Sequence, residues 1–79
     1  MSPTVLRIKG YRFFFFSREE ERMHIHVLSN EGEAKFWLFP EIRIVKSHKF
    51  SSKQVKEIEE IIKEHHDEFV NAWRKYFSS

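Results

Sequence analysis

Apolar and polar residues alternate through much of the first half of the chain and recur at spacings of three and four through its last third. These are the periods of half-buried strands and of an amphipathic helix. Thr4 to Ile8 reads as a first strand, with Leu6 and Ile8 on one face and Val5 and Arg7 on the other. Lys9-Gly10 follows as a tight turn, because glycine accepts the positive φ that two-residue hairpin loops demand. The chain then folds back along Tyr11 to Ser17, a strand that carries four consecutive phenylalanines. Alternation sends Tyr11, Phe13 and Phe15 one way and Arg12, Phe14 and Phe16 the other, so both faces of this strand are apolar and both need cover.

Arg18 to Arg22 has no apolar residue and is expected to be an exposed loop. Met23 to Leu28 alternates again, with Met23, Ile25 and Val27 opposite His24, His26 and Leu28. Ser29-Asn30-Glu31-Gly32 is turn chemistry, and Glu33 to Leu38 returns with Ala34, Phe36 and Leu38 opposite Glu33, Lys35 and Trp37, a second hairpin. Proline cannot donate to a ladder, so Phe39-Pro40-Glu41 ends the pairing before Ile42 to Val45 adds a short edge strand with Ile42 and Ile44 inward. Ser51 opens a Ser-x-x-Gln capping box, with Phe50 and Val55 at the staple positions. From there Val55, Ile58, Ile62, His65, Phe69, Ala72 and Tyr76 form a stripe that Ile61, Trp73 and Phe77 widen. A straight helix from Ser52 to Tyr76 would be about 38 Å long, whereas five strands span roughly 20–25 Å. Such a helix either bends or divides near His65-His66-Asp67 or carries its apolar end, Phe69, Trp73, Tyr76 and Phe77, onto another chain. The expectation is a single α+β domain over residues 1–79, with an antiparallel sheet of four to five strands in 1–46 and one long C-terminal helix in 51–77 packed on one face. Which face the helix covers stays open, since a one-residue slip exchanges the two phenylalanine sets.

Composition sharpens this outline. A chain of 79 residues buries only about 60% of its unfolded surface. The 16% aromatic content compensates, since each buried ring removes roughly 150–250 Å² from water, and dimerisation would be a further compensation. The absence of cysteine excludes disulfides, thiolate nucleophiles and cysteine-ligated metal. No signal-peptide pattern and no run of membrane-spanning length is present, so a cytoplasmic location is expected. The net charge of +2 is small but unevenly placed. Arg7, Lys9, Arg12 and Arg18 stand in residues 1–18 without an acid, and Arg43, Lys46, Lys49, Lys53 and Lys56 do so in residues 42–56. Residues 57–68 reverse the sign, with Glu57, Glu59, Glu60, Glu64, Asp67 and Glu68 against Lys63, which reads most plainly as a solvated helix face.

Several words of the sequence, in order, carry a family likeness: Gly10-Tyr11-Arg12-Phe13-Phe14-Phe15, His24-Ile25-His26-Val27, Gly32-Glu33-Ala34-Lys35-Phe36-Trp37-Leu38, and the closing Ala72-Trp73-x-x-Tyr76-Phe77. Together they resemble the bacterial and archaeal family catalogued as domain of unknown function 4160, over nearly the whole chain. The resemblance implies a small stand-alone protein with no assigned activity, often encoded beside a second small protein, an arrangement that suggests toxin–antitoxin pairing. It assigns no residue a role. Arg22-Met23 precedes the first histidine where the family usually has prolines, so the loop entering the third strand departs from the pattern.

His24 and His26 share a strand face as i and i+2 neighbours and are weak candidates for a metal pair or for general base catalysis. A third ligand would have to come from His48, Glu33 or Glu41, none of which the sequence places beside them, so no metal and no cofactor is expected. His65 is expected in the core and His66 in solvent. The stronger constellation collects the outward strand positions Arg7, Arg12, Phe14, Phe16, His24, His26, Lys35, Trp37 and Arg43. Interleaved rings and cations suit single-stranded RNA, and they equally suit an apolar layer against a partner chain with the cations at its rim. The leading expectation is a protein-interaction module that docks a cognate small protein or a second copy of itself. Single-stranded RNA binding, or RNA cleavage with His24 or His26 as base, is the alternative.

Overall fold

The computed structural model describes residues 4–16 and 22–77. Five strands, β1 (Thr4–Ile8), β2 (Tyr11–Phe14), β3 (His24–Leu28), β4 (Glu33–Trp37) and β5 (Arg43–His48), pair antiparallel in the order of the sequence. Two helices follow, α1 (Ser52–Glu64) and α2 (His66–Phe77). The expected loop at Arg18 to Arg22 lies outside the described residues apart from Arg22, which is exposed.

The β1–β2 turn forms as its residues dictate, with Lys9 at φ 53° and Gly10 at φ 83°, the paired positive values of a tight hairpin turn that leaves Ile8 opposite Tyr11. Gly32 has a different reason to be glycine. A Cβ there would overlap the backbone carbonyl of His48, where β5 passes close to the β3–β4 turn. The Ser29 N–H donates to the Gly32 carbonyl at 3.0 Å and closes that turn.

The helices cover one face. Tyr11, Phe13 and Phe15 of the β2 segment, Ile25 and Val27 of β3, and Ala34, Phe36 and Leu38 are buried against Ile58, Ile61, Ile62, Phe69 and Trp73. Alternation separates these residues from the opposite set, and the helices settle which of the two faces is the core. The last strand is longer than expected and extends past residue 46 to His48. At its edge Ile42 packs partly on the core, while Ile44, also expected inward, stays exposed.

One long helix does not form; two shorter ones do, divided within the His65-His66-Asp67 segment where the length mismatch placed a bend or division. The capping box at Ser51 and Gln54 is present, and α1 starts at Ser52, but the helix divides at His65, whose φ of −109° and ψ of 20° are not helical. Backbone bonds continue across the break, from the His65 N–H to Ile61 and from the Phe69 N–H to His65. The apolar stripe runs through the break because both halves bury it. A straight rod would overhang the sheet, whereas the bend lays Phe69 against Phe13 at 5.3 Å between ring centroids and Trp73 against Phe15 at 5.3 Å. Of the four residues expected as a contact with another chain, Phe69 and Trp73 therefore belong to this chain's own core, Phe77 packs beside them, and Tyr76 remains exposed. The two histidines at the break are both half-buried, neither in the core nor in open solvent. His65 turns to the Glu68 carboxylate at 3.0 Å, and the His66 Nε2–H donates to the Leu38 carbonyl at 2.8 Å, joining α2 to the end of β4. Among the described residues no helix is long and apolar enough to cross a membrane.

Candidate functional site

The face opposite the helices is ordered by the strand register, since residues directly paired across strands share a face. One row runs Arg7, Arg12, Leu28, Glu33 and His48; the next runs Phe14, His26, Lys35 and Lys46; a third runs His24, Trp37 and Arg43. Phe16, just past the end of β2, lies against Phe14 and His26 with ring centroids at 5.2 Å and 4.4 Å. All nine expected residues thus stand on one side of the sheet.

They are not equally accessible. His24 is completely buried, contrary to a place among solvent-facing polar residues. Its ring lies between Trp37 and Trp73, at 6.0 Å and 5.0 Å, because α2 closes over this end of β3. Its Nδ1–H donates to the Arg22 carbonyl at 2.7 Å, which commits that nitrogen to the backbone. Among the described residues no group of three metal-ligating side chains forms, so the His24–His26 pair gains no third ligand there. Phe14 is only 7% exposed, stacked on His26 at 5.5 Å and covered by the Arg12 guanidinium 4.5 Å from its centroid. Arg12 is itself fixed by donating to the Thr4 hydroxyl at 2.7 Å. Trp37 is half-buried beneath two cations, Arg22 at 4.2 Å and Lys35 at 5.0 Å. These contacts hold the cations near rings at modest cost, each worth roughly 0.5–1 kcal/mol at an exposed site. Phe16 remains open at 44%, and Leu28 at 39%.

Between the aromatic wall and the edge strand lies a groove of about 460 Å³. Phe14, Phe16 and His26 line it from β2 and β3, Lys46 and His48 from β5, and Leu28 and Glu33 stand between them in the register. Lys46 and His48 are the residues that alternation misses. Counting by twos from Arg43 puts Val45 and Ser47 outward, but β5 holds one extra residue at Val45, so Phe36 pairs with Ile44 and Lys35 with Lys46. That bulge reverses the parity of the strand's second half and turns Lys46 and His48 onto the open face. No sequence signal marks it, since Ile44-Val45 reads as ordinary strand.

The model of the family described as "Domain of unknown function (DUF4160)" matches residues 10–74. No curated protein and no solved structure matches the chain.

Proposed function

The chain belongs to the domain of unknown function 4160 family, and from that premise we propose that it is a binding module for single-stranded RNA that works through the open face of its sheet. The observation that carries this reading is the composition of that face. Among the described residues Arg7, Arg12, Arg22, Lys35, Arg43 and Lys46 surround Phe14, Phe16, His26 and Trp37, with the carboxylates Glu33 and Glu41 beside them. Cations beside the exposed Phe16 ring and the half-buried His26 and Trp37 suit a polyanion whose bases stack, each stacked base contributing roughly 1–3 kcal/mol. A protein partner needs a desolvated apolar patch of about 800 Å² per side. Here Phe14 is already covered from within, so the face offers little more apolar surface than Phe16 and Leu28.

A protein contact is favoured elsewhere, by a different observation. Phe39, Ile44 and Val45 are exposed together along β4–β5, at the edge of the sheet. A cognate small protein, as in a toxin–antitoxin-like pair, or a second copy would cover that flank and leave the basic face open for RNA.

Fluorescence anisotropy of a labelled mixed-sequence single-stranded RNA, titrated with the protein at several salt concentrations, tests the first reading. Micromolar binding is expected, weakening steeply with salt and reduced about tenfold by Phe16→Ala. Absence of binding at low salt would reject it and direct attention to the edge flank.

A further inference from the structure

We infer that the groove between β2 and β5 is a subsite for one nucleotide of an RNA strand, and that Glu33 reads its ribose. The inference rests on the RNA-binding reading and deepens it by assigning a position to base, sugar and phosphate. The groove's two walls have different chemistry. On the β2–β3 side Phe16 presents an exposed ring against His26, which is in turn stacked on Phe14. This is a surface for the π-face of a base. On the β5 side Lys46 and His48 present nitrogen donors, and Lys46 carries a full positive charge, the chemistry of a phosphate contact. β3 and β5 are two strand spacings apart, about 10 Å, comparable with the reach from a nucleobase to its own phosphate. The volume of about 460 Å³ lies within the range of sites that hold ligands of this size.

Space between the walls is open because Lys35, which stands in the same row as His26 and Lys46, leans away over the Trp37 ring. Glu33, cross-strand partner of His48, is the acid that lines the groove between the two walls. An acid in a groove lined by Lys46 opposes phosphate and would weaken binding of any polyanion by charge alone. It gains a purpose where the sugar passes. A carboxylate accepts hydrogen bonds and cannot donate them, and the ribose 2′-hydroxyl is a donor that deoxyribose lacks. Glu33 therefore pairs with RNA and merely repels DNA. No side-chain hydrogen bond or ion pair among the described residues holds the Glu33 carboxylate, so it is available for that contact.

The test compares a labelled single-stranded RNA with its 2′-deoxy counterpart of equal length and sequence, by anisotropy, for the native chain and for Glu33→Ala. The native chain is expected to bind RNA about tenfold more tightly than DNA, the discrimination of one charge-assisted hydrogen bond. Glu33→Ala is expected to bring that ratio close to one while DNA affinity rises, because a repelling charge has gone. The ratio separates sugar reading from a general electrostatic effect, which would move both affinities together. An RNA with 2′-O-methyl groups, which lacks the donor, should bind the native chain like DNA. Equal binding of RNA and DNA by the native chain overturns the inference and leaves RNA binding standing. A preference that survives Glu33→Ala in a variant with native circular dichroism and an unchanged melting temperature also overturns it. Binding of neither strand overturns both readings.

Discussion

Tyr11 is the residue at which the sheet is tied to the first helix. Its ring is buried beside Phe50 and Phe13, and its hydroxyl donates to the Glu57 carboxylate at 2.8 Å. Burial first, and then the neighbouring carboxylate, push the phenol from 10.0 up to about 12. A raised folded value means that the native state holds the proton more tightly than the unfolded chain does. The associated stability is complete below pH 10 and is lost as pH climbs through about 12. Tyr11→Phe keeps the ring and removes the hydroxyl. It is expected to lower neutral-pH stability by about 1 kcal/mol, since Glu57 is exposed and returns to water without an orphaned partner. It should also flatten the decline between pH 10 and 12, which urea unfolding at neutral pH and along an alkaline series would show. An alkaline decline of undiminished steepness in the variant would mean that other groups govern it.

At the scale of elements, the two edge strands behave unlike the three between them. Alternation separates the two faces of β2, β3 and β4 as they are found, without saying which one the helices cover, because Tyr11, Phe13, Phe15, Ile25, Val27, Ala34 and Phe36 sit in strands paired on both sides, where the period of two is enforced by neighbours. Both edges carry an irregularity, at Val5 opposite Phe13–Phe14 and at Val45 opposite Lys35–Phe36. Bulges at an edge are a known means of discouraging pairing with another chain. Their placement depends on the partner strand, so a single strand's sequence does not announce them. The stripe itself does not show the helix break, since spacings of three and four continue through two helices on one core, and only the mismatch of helix length with sheet width points to His65-His66-Asp67. His48 and Lys46 were consequently absent from the expected site, and His24 was included although Trp73 buries it. Gly32 shows what holds the groove's far wall in place. Its missing side chain lets the backbone of His48 come close, so Gly32→Ala must push the end of β5 outward. A loss of roughly 1–3 kcal/mol is expected from that overpacking, with weakened RNA binding as Lys46 and His48 move. Urea denaturation and anisotropy on the same preparation would check the two together; unchanged stability would show that β5 yields without strain.

Across the whole molecule the charges are sorted by layer. Among the described residues the open sheet face carries the cations Arg7, Arg12, Arg22, Lys35, Arg43 and Lys46, with Arg12 donating to Thr4, Arg22 to the Phe39 carbonyl and Arg43 to Glu41 at 2.9 Å. On the helical layer the cations are interleaved with acids, as where Lys63 lies 3.5 Å from Glu59 and 3.7 Å from Glu60. A polyanion approaching this protein is attracted to one side and finds a mixed field on the other, which orients it before contact. Total charge is a poor guide to that behaviour, since a net of +2 hides the separation. The consequence is measurable as a salt dependence that belongs to position. For single strands each phosphate contact contributes about 0.7 to the slope of log affinity against log salt. Lys46→Ala is expected to lower that slope by about 0.7 if one phosphate sits on the β5 wall. Lys63→Ala removes the same charge from the helical layer and is expected to leave the slope unchanged. Equal effects from the two substitutions would mean that RNA senses only the overall charge and that the sheet face has no privileged role.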